Sequence, residues 1–109
     1  MTELLLVMTS LPDKEAAEAL AKRLVGAHLA ACVQIQMGMQ SIYRWEGRIC
    51  DEQEAVLTAK TTAEQWPAIS AFIKQNHPYD VPEIIAQPIT HSDPDYARWV
   101  IAETTVLPN

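Results

Sequence analysis

The order of predicted elements is β-α-β-β-α-β with one further helix, which places this chain in the α+β class. Three observations carry that expectation. Two amphipathic helical stretches each sit between strand-like runs, and a long β-hairpin fills the middle of the chain. The length of 109 residues suits one domain, residues 1–109, with a modest core. Two split βαβ halves meeting in one antiparallel sheet give a ferredoxin-like sandwich. Right-handed crossovers then put both main helices on one face of that sheet. The other face needs a cover, and a second copy of the chain is the economical one.

Glu3 to Thr9 reads as a buried strand, because its apolar run is nearly continuous. Ser10-Leu11-Pro12 breaks it, and Asp13 is placed to cap a helix running to about Ala27. Ala16, Ala17, Leu20, Leu24 and Val25 recur along that helix at the spacing of one face.

Leu29 to Thr61 follows as a single hairpin that turns at Glu46-Gly47. Its first strand, Leu29 to Glu46, would extend ~60 Å at ~3.3 Å per residue. A domain of this size has a radius of gyration near ~13 Å, so the hairpin must bend or project. A two-residue turn sets Trp45 opposite Arg48, Tyr43 opposite Cys50 and Ser41 opposite Glu52. Carried to the base, the same register puts Val33 and Ile35 on the face of Thr58 and Lys60, away from Leu57 and Ala59. One inserted residue restores the match, since strand side chains alternate with period two. Gly38 is the predicted bulge, so the hairpin is expected to be a bent arm.

Thr62-Ala63-Glu64-Gln65 matches a capping box for a second helix, with Trp66, Ile69, Phe72 and Ile73 as its apolar stripe. Pro67 falls near its first turn and Pro78 stops it. Pro82 to Thr90 reads as a strand whose Pro88 argues for an edge or interrupted position. Asp93-Pro94 starts the last helix, which carries Tyr96, Trp99 and Val100.

Composition narrows the partners. A net charge of −6 with no basic stripe disfavours nucleic acid. The amino-terminal apolar run is too short for a membrane span and is preceded by Glu3 rather than by basic residues, so a cytoplasmic location is expected. Two cysteines, Cys32 and Cys50, do not make a disulfide framework. Asp51, Glu52 and Glu54 resemble a cation cluster, but alternation separates Asp51 from the other two, and charges on an exposed edge also block unwanted strand pairing. No nucleophile with a neighbouring base, Gly-rich phosphate loop or metalloprotease spacing is evident, so no enzyme and no organic cofactor are expected.

Five blocks of the sequence resemble one family. Leu29-Ala30-Ala31-Cys32-Val33, Ser41-Ile42-Tyr43-Arg44-Trp45-Glu46-Gly47, Lys60-Thr61-Thr62, His77-Pro78-Tyr79-Asp80-Val81-Pro82-Glu83 and Asp93-Pro94-Asp95-Tyr96 are similar, in order and spacing, to the CutA divalent-cation-tolerance proteins. The resemblance implies a cytoplasmic homotrimer of ferredoxin-like protomers, built like the PII signalling proteins. It also implies a role in tolerance of divalent metals, copper especially.

Some bacterial members carry a cysteine late in the first strand and a His-His pair before Pro-Tyr. Here those positions hold Met8 or Thr9 and Asn76-His77. His77 is therefore the candidate ligand for Cu(II) or another divalent cation, with Asn76 at a matching ligand position and Met8 a soft thioether suited to Cu(I). His91 and His28 are placed in a turn and near a helix C-terminus. Tyr43 and Trp45 share one face of the arm, with Arg48 positioned for a cation–π contact with Trp45. They read as interface anchors. Lys60, Tyr79 and Glu83 are expected to line a cleft between subunits. By analogy with PII-like trimers, such a cleft would take a small anionic ligand, which makes a sensor or scaffold the alternative to metal tolerance.

Overall fold

The computed structural model describes residues 2–105. The elements are β1 (Leu4–Leu11), α1 (Lys14–Gly26), β2 (Cys32–Trp45), β3 (Arg48–Thr62), a 3-10 turn (Ala63–Gln65), α2 (Trp66–Gln75), β4 (Ile85–Ile89) and α3 (Pro94–Glu103). The four strands form one antiparallel sheet in the order β2-β3-β1-β4. That is the ferredoxin-like arrangement with an added helix.

Alternation along β1 sorts the layers. Leu5, Val7, Thr9 and Leu11 point to the helices, while Leu4, Leu6, Met8 and Ser10 point to the opposite face. The main core sits on the helix side, where Val7, Leu11, Leu57 and Ala59 meet Leu20 and Leu24 of α1 and Ile69 and Ile73 of α2. Truncating a fully buried residue such as Leu57 to Ala would cost ~2–5 kcal/mol, by lost transfer energy and the cavity left behind. The second face has partial cover from the chain itself. Val100 of α3 packs on Leu4 and Ala31, with Ile89, Ala97 and Ile101 around them.

Local chemistry explains the helix ends. Asp13 accepts a hydrogen bond from the Ala16 amide at 2.8 Å and starts α1. Asp93 does the same for the Tyr96 amide at 3.0 Å, with Pro94 at the first helical position. The expected capping box at Thr62 does not form. Thr62 ends β3 instead, Ala63–Gln65 make a 3-10 turn, and α2 begins at Trp66, so Pro67 falls where a missing N–H costs no helical hydrogen bond. Val100 faces the core, whereas Tyr96 and Trp99 stack on each other at 5.7 Å on the exposed side of α3.

The hairpin carries the expected bulge. Ile35 pairs with Leu57 and Val33 with Ala59, the register shifts between Gln36 and Met39, and Trp45 pairs with Arg48 beyond it. Gly38 takes φ +71° there, a left-handed conformation that glycine adopts without a Cβ penalty. Glu46 and Gly47 both have positive φ at the tip, as a two-residue primed turn requires. The molecule measures 47 × 31 × 21 Å, and 14 residues of β2 at ~3.3 Å each match its long axis.

A candidate cleft between the arm and the 78–83 loop

Beyond the bulge, Ser41, Tyr43 and Trp45 point to the side of the sheet opposite the main helices, across from Glu52, Cys50 and Arg48. The loop after α2 folds back against the same side. Between them lies a cleft of 760 Å³, lined by Tyr43, Trp45 and Tyr79, by Ser10 and Glu54 of the sheet, and by Asp80 and Glu83 along the loop. That volume lies within the range of ordinary small-molecule sites.

Glu54 is the least expected member. The residue is only 9% exposed, and its carboxylate accepts a hydrogen bond from the Tyr79 hydroxyl at 2.7 Å. Burial first, and then this bond to Glu54, holds the Tyr79 hydroxyl well above the ordinary tyrosine range, so Tyr79 stays a donor. Desolvation and the neighbouring Glu52 carboxylate raise Tyr43 in the same direction. From sequence, Glu54 looks like one more charge on an exposed edge. Its only legible signal is its position directly before the apolar run Ala55-Val56-Leu57.

His77 fixes the loop. Its Nε2–H donates to the Ser10 carbonyl at 2.7 Å, and its Nδ1 accepts the Tyr79 amide at 3.1 Å. A carbonyl partner on one nitrogen and an N–H partner on the other define the neutral ring with its proton on Nε2. Burial lowers its pKa, with partial offset from the Ser10 carbonyl and the Glu54 carboxylate. The ring also packs against Tyr79, centroids 4.9 Å apart.

The other candidate ligands lie elsewhere. Asn76 spends its amide on structure, accepting from Arg23 at 2.7 Å and donating to the Phe72 carbonyl at 2.9 Å. Met8 sits in the middle of β1 between Thr58 and Ile85. Within one chain Lys60 lies six residues down β3 from Glu54, ~20 Å at 3.3 Å per residue, and bonds to Gln34. His91 meets the Thr90 hydroxyl, and His28 donates to the Glu103 carbonyl at 2.9 Å, tying the end of α1 to the end of α3. The expected Arg48–Trp45 cation–π contact does not form; among the described residues the contact of this kind is Arg23 over Phe72, at 5.1 Å.

These positions do not fit a resident metal centre in one chain. Among the described residues no three His, Cys, Asp or Glu side chains converge closely enough to hold an ion, and both nitrogens of His77 are engaged. Within one chain the cleft lining holds three carboxylates, Glu54, Asp80 and Glu83, and no Lys or Arg. No helix among the described residues is long and apolar enough to cross a membrane.

Comparison with known proteins places the fold in a family. The model of the CutA1 divalent ion tolerance protein matches residues 5–103. The chain belongs to the CutA1 family. A relative named divalent-cation tolerance protein CutA, from Thermus thermophilus, is 43% identical over 98 residues, covering 90% of this chain and 95% of that protein. Among solved structures, CutA1 from Ehrlichia chaffeensis is similar with a TM-score of 0.92 at 30% identity, over 97% of this chain and 99% of that one. CutA1 from Oryza sativa gives 0.92 at 38% identity, over 94% of each chain.

Proposed function

We propose that this chain serves tolerance of divalent cations, copper foremost, as a cytoplasmic homotrimer that catalyses no reaction. The observation that carries the reading is family membership over residues 5–103, with relatives named for tolerance and not for a reaction. Trimer formation is supported by the arm, whose Ile42, Tyr43, Trp45 and Ile49 are exposed large apolar side chains on an element that projects from the core.

Direct contact with copper is weak in this reading and runs through His77. A divalent ion can reach the Nδ1 lone pair only after the Tyr79 amide releases it, so binding competes with an existing hydrogen bond. Met8 and Asn76 add little, one isolated on its strand and the other committed to Arg23 and Phe72. Copper calorimetry on the protein and on His77→Ala tests this. A measurable heat at micromolar to millimolar copper that disappears in the variant is expected. Indistinguishable isotherms would remove His77 from the site, and no heat at all would end the binding claim.

The 760 Å³ cleft favours a second reading, a PII-like sensor or scaffold that holds a small organic molecule. Native mass spectrometry after gentle purification separates the two: retained metal supports the first and a retained organic ligand the second.

A further inference from the structure

We infer that a neighbouring copy completes the cleft, the partner subunit's Lys60 supplying the cation that Glu54 lacks in its own chain. This rests on the homotrimer proposed above and names a contact within it. Glu54 is nine-tenths buried, and a buried carboxylate ordinarily faces a cation because the interior solvates it poorly. Its side-chain partner is the Tyr79 hydroxyl, on Oε2. The ion pairs among the described residues are Lys14–Glu18 and Asp95–Arg98, so its own chain leaves it without a cation. Lys60 has the opposite deficit. It is half-buried on β3, and its ammonium meets the neutral amide oxygen of Gln34. Six residues of strand hold the two charges ~20 Å apart, so they can meet only between copies.

The surface between them suits such a contact. Glu54, Val56, Thr58 and Lys60 alternate onto the side of the sheet opposite the main helices. There β1 sets Leu6 beside Lys60 and Met8 beside Thr58, and β4 adds the exposed Ile85 next to Met8. The chain's own cover, α3, packs over the end at Leu4 and Ala31. What remains is an apolar strip with a carboxylate at one end and an ammonium at the other. A second copy fits it in a register that the two charges fix. In a closed ring of three, each copy gives Lys60 to one neighbour and Glu54 to the other. Other cations are worse placed. Lys14, Lys22, Arg23 and Lys74 lie on α1 and α2, behind the sheet. Arg44 points to the far side of the arm, and Arg48 shares the right side but sits exposed at the tip.

The test is a double-mutant cycle read in urea melts of the assembled protein, with light scattering to report its mass. Lys60→Met and Glu54→Gln are each expected to lower the midpoint by about 1 M, because each leaves a buried charge unpaired across the interface. The double variant should fall no further than the worse single one. Residues ~20 Å apart in one chain would instead add in full. Arg48→Gln combined with Glu54→Gln is the additive control. Lys60→Met decides by sign even if Glu54→Gln folds poorly. Replacing an ammonium that has no carboxylate by an apolar chain of similar size leaves the midpoint unchanged or raises it, whereas removing the partner of Glu54 lowers it. A midpoint unchanged or raised in Lys60→Met, or full additivity of the 54 and 60 shifts, would overturn the contact while a trimer mass persists. A monomer mass for the unaltered protein would overturn the contact and the trimer together.

Discussion

Single residues separate structural from functional roles here. Thr9 is fully buried, and its hydroxyl has no hydrogen-bond partner among the described residues. An unpaired buried hydroxyl is a net cost, so the isosteric Thr9→Val is expected to stabilise the protein by ~1 kcal/mol in denaturant melts; a loss of stability would mean the hydroxyl is satisfied. His77 gives a pH prediction. Its folded pKa lies below the ordinary value of about 6.5, so the unfolded chain takes up its proton first as pH falls. The stability contributed by the neutral ring is therefore complete above pH ~6.5 and declines as pH drops from there toward the lowered folded value. Melts of the protein and of His77→Gln, compared between pH 5 and 7.5, should diverge with that sign. A constant difference across the range would contradict it. His77 was visible in the sequence as a candidate, but its two partners were not. Ser10 lies 67 residues away, and no local pattern encodes the contact. Glu54 was hidden for the same reason, since the 78–83 loop that buries it arrives from another part of the chain.

At the scale of elements, the sequence was most legible where geometry is arithmetic. Period-two alternation located the bulge at Gly38, because only an odd insertion lets Ile35 meet Leu57 while Tyr43 meets Cys50. The two aspartate caps were equally readable, being complete within four residues. The capping box at Thr62 failed because β3 keeps Thr62 paired with Leu4, and tertiary pairing overrode the local signal. The position of α3 was not readable either, since Val100 chooses its face by contacts with Leu4 and Ala31. Gly38 offers a clean test. A Cβ built there meets nothing within 4 Å, so Gly38→Ala carries a backbone cost only. A loss of ~1 kcal/mol is expected from a non-glycine residue at positive φ. An unchanged melt would mean the bulge does not hold glycine in the left-handed region.

For the whole molecule, assembly and cleft share the same arm. Tyr43 and Trp45 both wall the cavity and stand among the exposed apolar side chains. Light scattering should return three chain masses for the protein, and a lower mass for the pair Ile42→Asp with Ile49→Asp, which sits on the other side of the arm from Tyr43. A monomer mass for the unaltered protein at micromolar concentration would overturn the trimer. A mass unchanged in the double variant would remove that side of the arm from the interface.

The strand order has a consequence for synthesis. β1 lies between β3 and β4, so its Leu4–Leu11 segment has no strand partner until Ala55 to Thr62 has been made, and its second partner, Ile85–Ile89, comes later still. At roughly 5–20 residues per second, a nascent chain carries that apolar segment unpaired for several seconds. The hairpin, whose strands are adjacent in sequence, can close first and offer β3 as the template on which β1 docks. β1 is thus made before either of its partners, and its apolar run stays open to aggregation until β3 arrives.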